Sequence, residues 1–143
     1  MSVSPSLLWH VIRTHTCKTV KRNGIMLSRE KGNLRCMHTY RDSGISNFKS
    51  VNIVAVRATA KGKKTPTMDL KNIVLRDRRK PNKMWHRNHL KKGSRRAIAT
   101  VTEVVKTYRP DLQKDAAKRM DKVLTSLKVS HKPVKKGRRN NAI

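Results

Sequence analysis

Lys and Arg outnumber Asp and Glu by 36 to 8 in this chain of 143 residues, a formal charge of +28. Charge of one sign at that density repels itself and opposes compaction. Whatever folds must therefore do so around a modest core with most cations outside. Core material is limited: 36% of residues are apolar, and the aromatics are two Trp, two Tyr and one Phe. The length suits one small domain with tails rather than two independent cores. A polyanion partner resolves the repulsion most simply. Nucleic acid is the usual one, because each phosphate neutralised releases condensed counterions.

Periodicity locates the folded parts. Ser4 as N-cap and Pro5 at the first helical position open a short helix. Leu7, Leu8, Val11 and Ile12 share one of its faces, with Trp9 at the border. Residues 16–27 read as strand–turn–strand about Asn23-Gly24, two residues that tolerate the positive φ of a tight hairpin. Residues 30–46, with Gly32, Asn33, Asp42 and Gly44, read mainly as loop with a short extended piece. Alternation marks 48–56 as a strand, and 70–75 is a second β-like run. The two predict an antiparallel hairpin with a long, basic tip. Helical spacing returns at Ile98, Val101, Val105 and Tyr108. Pro110 interrupts it and opens a second helix, whose apolar face is Leu112, Ala116, Met120, Val123, Leu124 and Leu127. The expected fold class is α+β: a short N-terminal helix, a small antiparallel sheet of hairpins, two C-terminal helices and extended basic segments. The expected organisation is an RNA-binding α/β core over 1–75, a basic extended segment over 76–96, a two-helix element over 97–128 and a basic tail over 129–143.

Segment 76–96 is the strongest functional signal. It holds Arg76, Arg78, Arg79, Lys80, Lys83, Arg87, Lys91, Lys92, Arg95 and Arg96 against the single acid Asp77. Too polar to offset its own ordering entropy, it is expected to be flexible in isolation. Cations so closely spaced can follow the phosphates of a nucleic-acid groove. Trp85, in their midst, can stack on an unpaired base or anchor the segment to the domain. The tail repeats the pattern with Lys135, Lys136, Arg138 and Arg139. The hairpin tip offers Lys61, Lys63 and Lys64, the Asn23-Gly24 turn Lys21 and Arg22, and the last helix Lys118. Such dispersal suits a clamp on several RNA helices better than a single-site reader. The plainer alternative is a solvated face or an import signal. Solvated faces mix signs, and 76–96 does not.

Other chemistry finds little footing. His15-Thr16-Cys17 and Cys36-Met37-His38 mirror each other, and residues two apart share a strand face. Structural zinc pairs are usually spaced more widely, so two inert thiols, no metal and no cofactor are expected. His86 and His89 have no thiol or carboxylate nearby. There is no paired-carboxylate site, P-loop or Gly-x-Ser-x-Gly elbow, and a Cys–His dyad on Cys17 has nothing to favour it. The expectation is a protein that is not an enzyme. No run approaches the ~20 apolar residues of a membrane span, and the N-terminus lacks a signal peptide's basic region, so a soluble cytosolic chain is expected.

Several stretches then line up: Leu7-Leu8-Trp9-His10-Val11-Ile12-Arg13, followed by Val20-Lys21-Arg22-Asn23, and Asn33-Leu34 leading to Thr39-Tyr40-Arg41. The most specific is Tyr108-Arg109-Pro110-Asp111-Leu112, with Ala116, Ala117 and Arg119 behind it. In these the chain resembles the eukaryote-specific twenty-eight-e family of large-subunit ribosomal proteins. The likeness covers most of the length, while 76–96 and the Cys-His pairs fall outside it. The resemblance implies a non-catalytic structural constituent of the cytosolic ribosome that supports translation, reached through nucleolar transit. Its implied partners are large-subunit ribosomal RNA and neighbouring ribosomal proteins, with no membrane and no homo-oligomer. It implies that Tyr108 and Leu112 pack across an elbow, that Pro110 and Asp111 start a helix, and that Arg109 also touches phosphate. A nucleolar large-subunit assembly factor is the alternative, although such factors tend to be longer and to carry acidic stretches. A chromatin-type DNA binder would have Ala/Lys/Pro-dominated tails.

Overall fold

A computed structural model of the chain describes residues 3–57, 64–72, 80 and 82–128. Helix α1 (Pro5–Ile12) starts where Ser4 Oγ accepts the Leu7 N–H at 3.3 Å and Pro5 fills the first position. Strands β1 (Thr19–Arg22) and β2 (Ile25–Ser28) form a hairpin. Its turn has φ 47° at Asn23 and 76° at Gly24, the two positive values a type I′ turn needs. Met37, in the loop that follows, makes a single bridge to Leu27.

Strand β3 (Val51–Arg57) pairs antiparallel with β4 (Lys64–Lys71), Val51 opposite Leu70. Strand β5 (Trp85–His89) adds to the far side of β4, Lys71 opposite Trp85, so β4 is central. Helix α2 (Ser94–Tyr108), a 3-10 turn (Pro110–Leu112) and helix α3 (Gln113–Leu127) follow. The fold is α+β, as the spacing predicts.

Alternation divides the sheet into two faces. Val51 and Ile53 of β3, with Met68 of β4, meet Ala97, Val101 and Val105 of α2 and Leu112, Ala116, Met120 and Val123 of α3. Leu34 and Leu90 complete this buried core. The opposite face carries Asn52, Asp69 and Arg87 in one cross-strand row, and Lys71 beside Trp85 in the next. A loop, residues 29–50, covers that polar face instead of a helix.

Three features differ from expectation. β4 begins at Lys64, not near Leu70, because its polar residues Thr67, Asp69 and Lys71 are buried and break the usual link between polarity and exposure. Residues 73–75 of the expected run lie outside the described residues. β5 arises inside the basic segment from Trp-His-Arg-Asn-His, a stretch with no apolar alternation. Finally, α1 buries no residue: Leu7 is 57% and Val11 70% exposed. Trp9 makes the contact instead, its ring centroid 5.1 Å from His38 and 5.8 Å from Tyr40. Among the described residues, no helix is long and apolar enough to cross a membrane.

Truncating the core should therefore be costly and truncating the α1 face cheap. Met120→Ala is expected to lower unfolding stability by about 2–5 kcal/mol. Leu7→Ala should change it by no more than about 0.5 kcal/mol. Urea titrations of the two variants, compared at unchanged m-value, measure the contrast.

Candidate nucleic-acid interface

The covering loop is fastened by buried charge. Asp69 is fully buried and accepts from Lys31 Nζ at 3.2 Å, Arg87 Nε at 3.1 Å and Asn52 Nδ2 at 3.4 Å. Two residues on, the buried Lys71 ammonium donates to the carbonyls of Gly44 (2.9 Å), Ile45 (3.3 Å) and Asn47 (2.8 Å). Glu30, also buried, accepts the Gly44 N–H at 3.2 Å and bonds from Ser43 Oγ and Asn33 Nδ2 at 3.4 Å each. The loop's two ends touch backbone to backbone: a Cβ on Gly44 would sit 2.1 Å from the Lys31 carbonyl oxygen. Gly32, at φ 90°, leaves room for the Trp85 ring, which a Cβ there would meet at 2.8 Å. Lys31 Nζ lies 4.4 Å from the same ring's centroid, a cation–π contact.

The elbow between α2 and α3 holds the other end of the loop. Tyr108 OH donates to the Lys71 carbonyl at 2.5 Å. Arg109 donates through Nη1 to Lys49 O at 3.0 Å and through Nη2 to Arg41 O at 2.5 Å. Its Nε and Nη2 also grip the Asp111 carboxylate at 3.1 and 3.0 Å. Arg41 pairs in turn with Asp115 at 3.0 Å. The expectation that Arg109 touches phosphate meets a different geometry: its side chain is 13% exposed and every guanidinium nitrogen has a protein partner. It positions the loop.

Outside this scaffold lie three adjoining clefts. Arg119, on α3, donates at 3.4 Å to the Ile53 carbonyl on the outer edge of β3 and borders two of them. The first, about 330 Å³, is lined by Leu34, Arg35, Asp115, Lys118 and Lys122. The second, about 450 Å³, is lined by Lys18, Arg29, Glu30, Lys31, Asn33 and Asn52 among others. The third, about 220 Å³, shares Lys18 and Lys31 and ends on Ile45, Met84 and Trp85. Among the described residues, Lys18, Arg29, Lys118, Arg119 and Lys122 have no carboxylate at ion-pairing distance.

Residues 7–126, from α1 through α3, match the ribosomal L28e protein family. The chain belongs to that family. It is thereby a ribosomal protein of the large subunit, and its bare cations and clefts face the question of what they hold there. The Tyr108–Leu112 elbow lies inside the L28e match, and its residues pack as the resemblance implies: Leu112 is buried and Tyr108 borders the core.

Not every expected RNA contact is equally placed in this L28e chain. Lys91, Lys92, Arg95 and Arg96 gather, all exposed, at the start of α2. No side chain caps that helix and its first turn has no acid, so bare amides and cations together favour an anion. Lys21 and Arg22 are exposed beside the hairpin turn, and Lys64, Lys80 and Lys83 are exposed as well. Arg87 is half-exposed but paired with Asp69. Trp85 is half-buried against Gly32 and Lys31, so the anchoring role is present. Lys118 joins the first cleft. Lys61, Lys63, Arg76, Arg78, Arg79, Lys135, Lys136, Arg138 and Arg139 lie outside the described residues. Cys17 is exposed and Cys36 half-buried. Among the described residues, no three His, Cys, Asp or Glu side chains come together as a metal site.

The sequence reading missed Lys18, Arg29, Arg35, Arg119 and Lys122 as cleft residues. Only the α3 members had a local signal: Lys118, Arg119 and Lys122 fall on neighbouring helical positions. The others converge solely through the loop.

Three substitutions test this scaffold. Gly44→Ala should destabilise the fold severely, because the methyl meets backbone, while Gly93→Ala, with open space around it, should cost no more than about 1 kcal/mol, from a poorer N-cap for α2; thermal melts compare them. Arg109→Ala should cost about 1.5–3 kcal/mol yet leave the salt dependence of RNA binding unchanged, which a filter-binding titration measures.

Proposed function

We propose that this L28e-family protein is a structural constituent of the eukaryotic cytosolic large subunit that binds ribosomal RNA through Lys and Arg contacts to phosphate. In doing so it stabilises the RNA fold and supports translation. One observation carries the reading. The acids Asp42, Asp69, Asp111 and Asp115 are paired within the fold, while among the described residues Lys18, Arg29, Lys118, Arg119 and Lys122 at the clefts, and Lys91, Lys92, Arg95 and Arg96 at the start of α2, have no carboxylate at ion-pairing distance. The buried carboxylates of Glu30, Asp42 and Asp69 each have a partner inside the fold, and the surplus positive charge is exposed. Its partners are large-subunit RNA and neighbouring ribosomal proteins, and it reaches the cytoplasm on the ribosome after nucleolar assembly.

Sucrose-gradient sedimentation of a lysate tests the proposal. The protein should run with large subunits, monosomes and polysomes in near-stoichiometric amounts. Confinement to nuclear precursor particles would instead make it an assembly factor. With about ten cations on phosphates, log K should fall against log[salt] with a slope of about −7 to −9.

A further inference from the structure

We propose that the three clefts form one channel for an unpaired RNA segment, with a base seated against Ile45, Met84 and Trp85. This rests on the RNA-binding reading above and adds which RNA conformation is held, and where.

The argument begins with continuity. Arg119 borders the first and second clefts, and Lys18 and Lys31 border the second and third. A path therefore runs from the exposed side of α3, past the outer edge of β3, to the start of β5. Its character changes along the way. The α3 end is cationic: Lys118, Arg119 and Lys122 have no carboxylate at ion-pairing distance among the described residues, and Asp115, which also lines it, is engaged by Arg41. The far end sets an apolar wall of Ile45, Met84 and Trp85 beside lysines, with Ile45 38% exposed at its rim although a side chain of that kind gains nothing from water. A nucleotide has the same polarity, a charged phosphate at one side and a flat, weakly polar ring at the other. Unpaired RNA bases splay out and are held on aromatic side chains, whereas duplex RNA presents its phosphates and 2′-hydroxyls as a broad surface. Clefts of about 220–450 Å³ admit single nucleotides and exclude a duplex.

An extended peptide is the competing occupant, because β3 is an edge strand and edges accept added strands. Here the Ile53 carbonyl, on that edge, already receives Arg119. An incoming strand would have to displace a cation that a phosphate would instead meet. The walls are also fixed in advance. Lys31 is held by Asp69 and Trp85, and Gly44 by Glu30 and Lys71. Little ordering remains to be done on binding.

The test uses the full chain carrying Trp9→Phe, so that Trp85 is the sole tryptophan. Its emission and the anisotropy of labelled RNA are followed with a ten-nucleotide single strand and with a duplex of the same length. The single strand should shift Trp85 emission saturably and bind about tenfold tighter than the duplex, the scale of one stacked base. Ile45→Glu should abolish the emission change. Lys18→Glu with Arg29→Glu, both exposed and unable to disturb the core, should weaken single-strand binding by tenfold or more. Equal binding of strand and duplex without a Trp85 change overturns the channel. So does a Lys18/Arg29 variant that binds as the parent does while Lys91→Glu with Lys92→Glu loses affinity. That result would leave the RNA-binding reading standing, with phosphates met at α2 instead. Polyglutamate that shifts Trp85 as strongly as RNA overturns the base assignment. Failure to bind either RNA overturns both proposals.

Discussion

Asp69 and Lys71 lie two residues apart on the same face of the central strand, buried and of opposite sign. Everything on that side of the sheet is arranged to satisfy them. Burying an uncompensated charge costs several kcal/mol, so neither can tolerate the loss of its partners. Asp69 calls in Lys31 from the loop and Arg87 from β5. Lys71 draws three carbonyls of the 44–47 turn onto itself. Those demands place both ends of the loop, set Lys31 over Trp85, and give the 44–47 turn one position relative to β3. Tyr108 adds the elbow to the same strand through the Lys71 carbonyl.

How a chain with eight acids can build such a network is a question of acceptors. Carboxylates take only part of the demand: Asp111 pairs Arg109 and Asp115 pairs Arg41. Backbone oxygens add to them: Lys71 rests on three, Arg109 on two, and Arg41 on that of Asp111. Irregular loops supply them, because their carbonyls are not consumed by a ladder. The long, glycine-punctuated stretch 29–50 is thus the source of counter-dipoles that a basic protein needs. This also explains why Arg109, in the most family-specific motif, turns inward.

What could be read from the sequence was what depends on near neighbours. Ser4-Pro5, Asn23-Gly24, the two apolar stripes of the C-terminal helices and Pro110-Asp111 each carry their conformation within a few residues, and each appears as expected. β4 was legible only in part, since burial beneath the loop removes the polar–apolar contrast along Thr67-Met68-Asp69-Leu70-Lys71. β5 has no apolar pattern at all. It is a strand because β4 offers it an edge and Asp69 offers Arg87 a partner. The clefts were illegible for the same reason of distance: Lys18, Arg29 and Arg119 are remote in sequence and meet only when the loop closes.

The two populations of cation respond differently to ions in solution. Screening acts over about 8–10 Å of water at moderate salt and reaches buried pairs far less. Lys71, seated on carbonyl dipoles, is shielded by the protein around it, whereas Lys18, Arg29 and Lys122 stand in solvent. On the proposed RNA-binding reading, a concentrated salt wash would then detach without denaturing. It would loosen the outer grip on a polyanion while the inner clasp stayed shut, and the released molecule would keep the shape it needs to bind again on dilution.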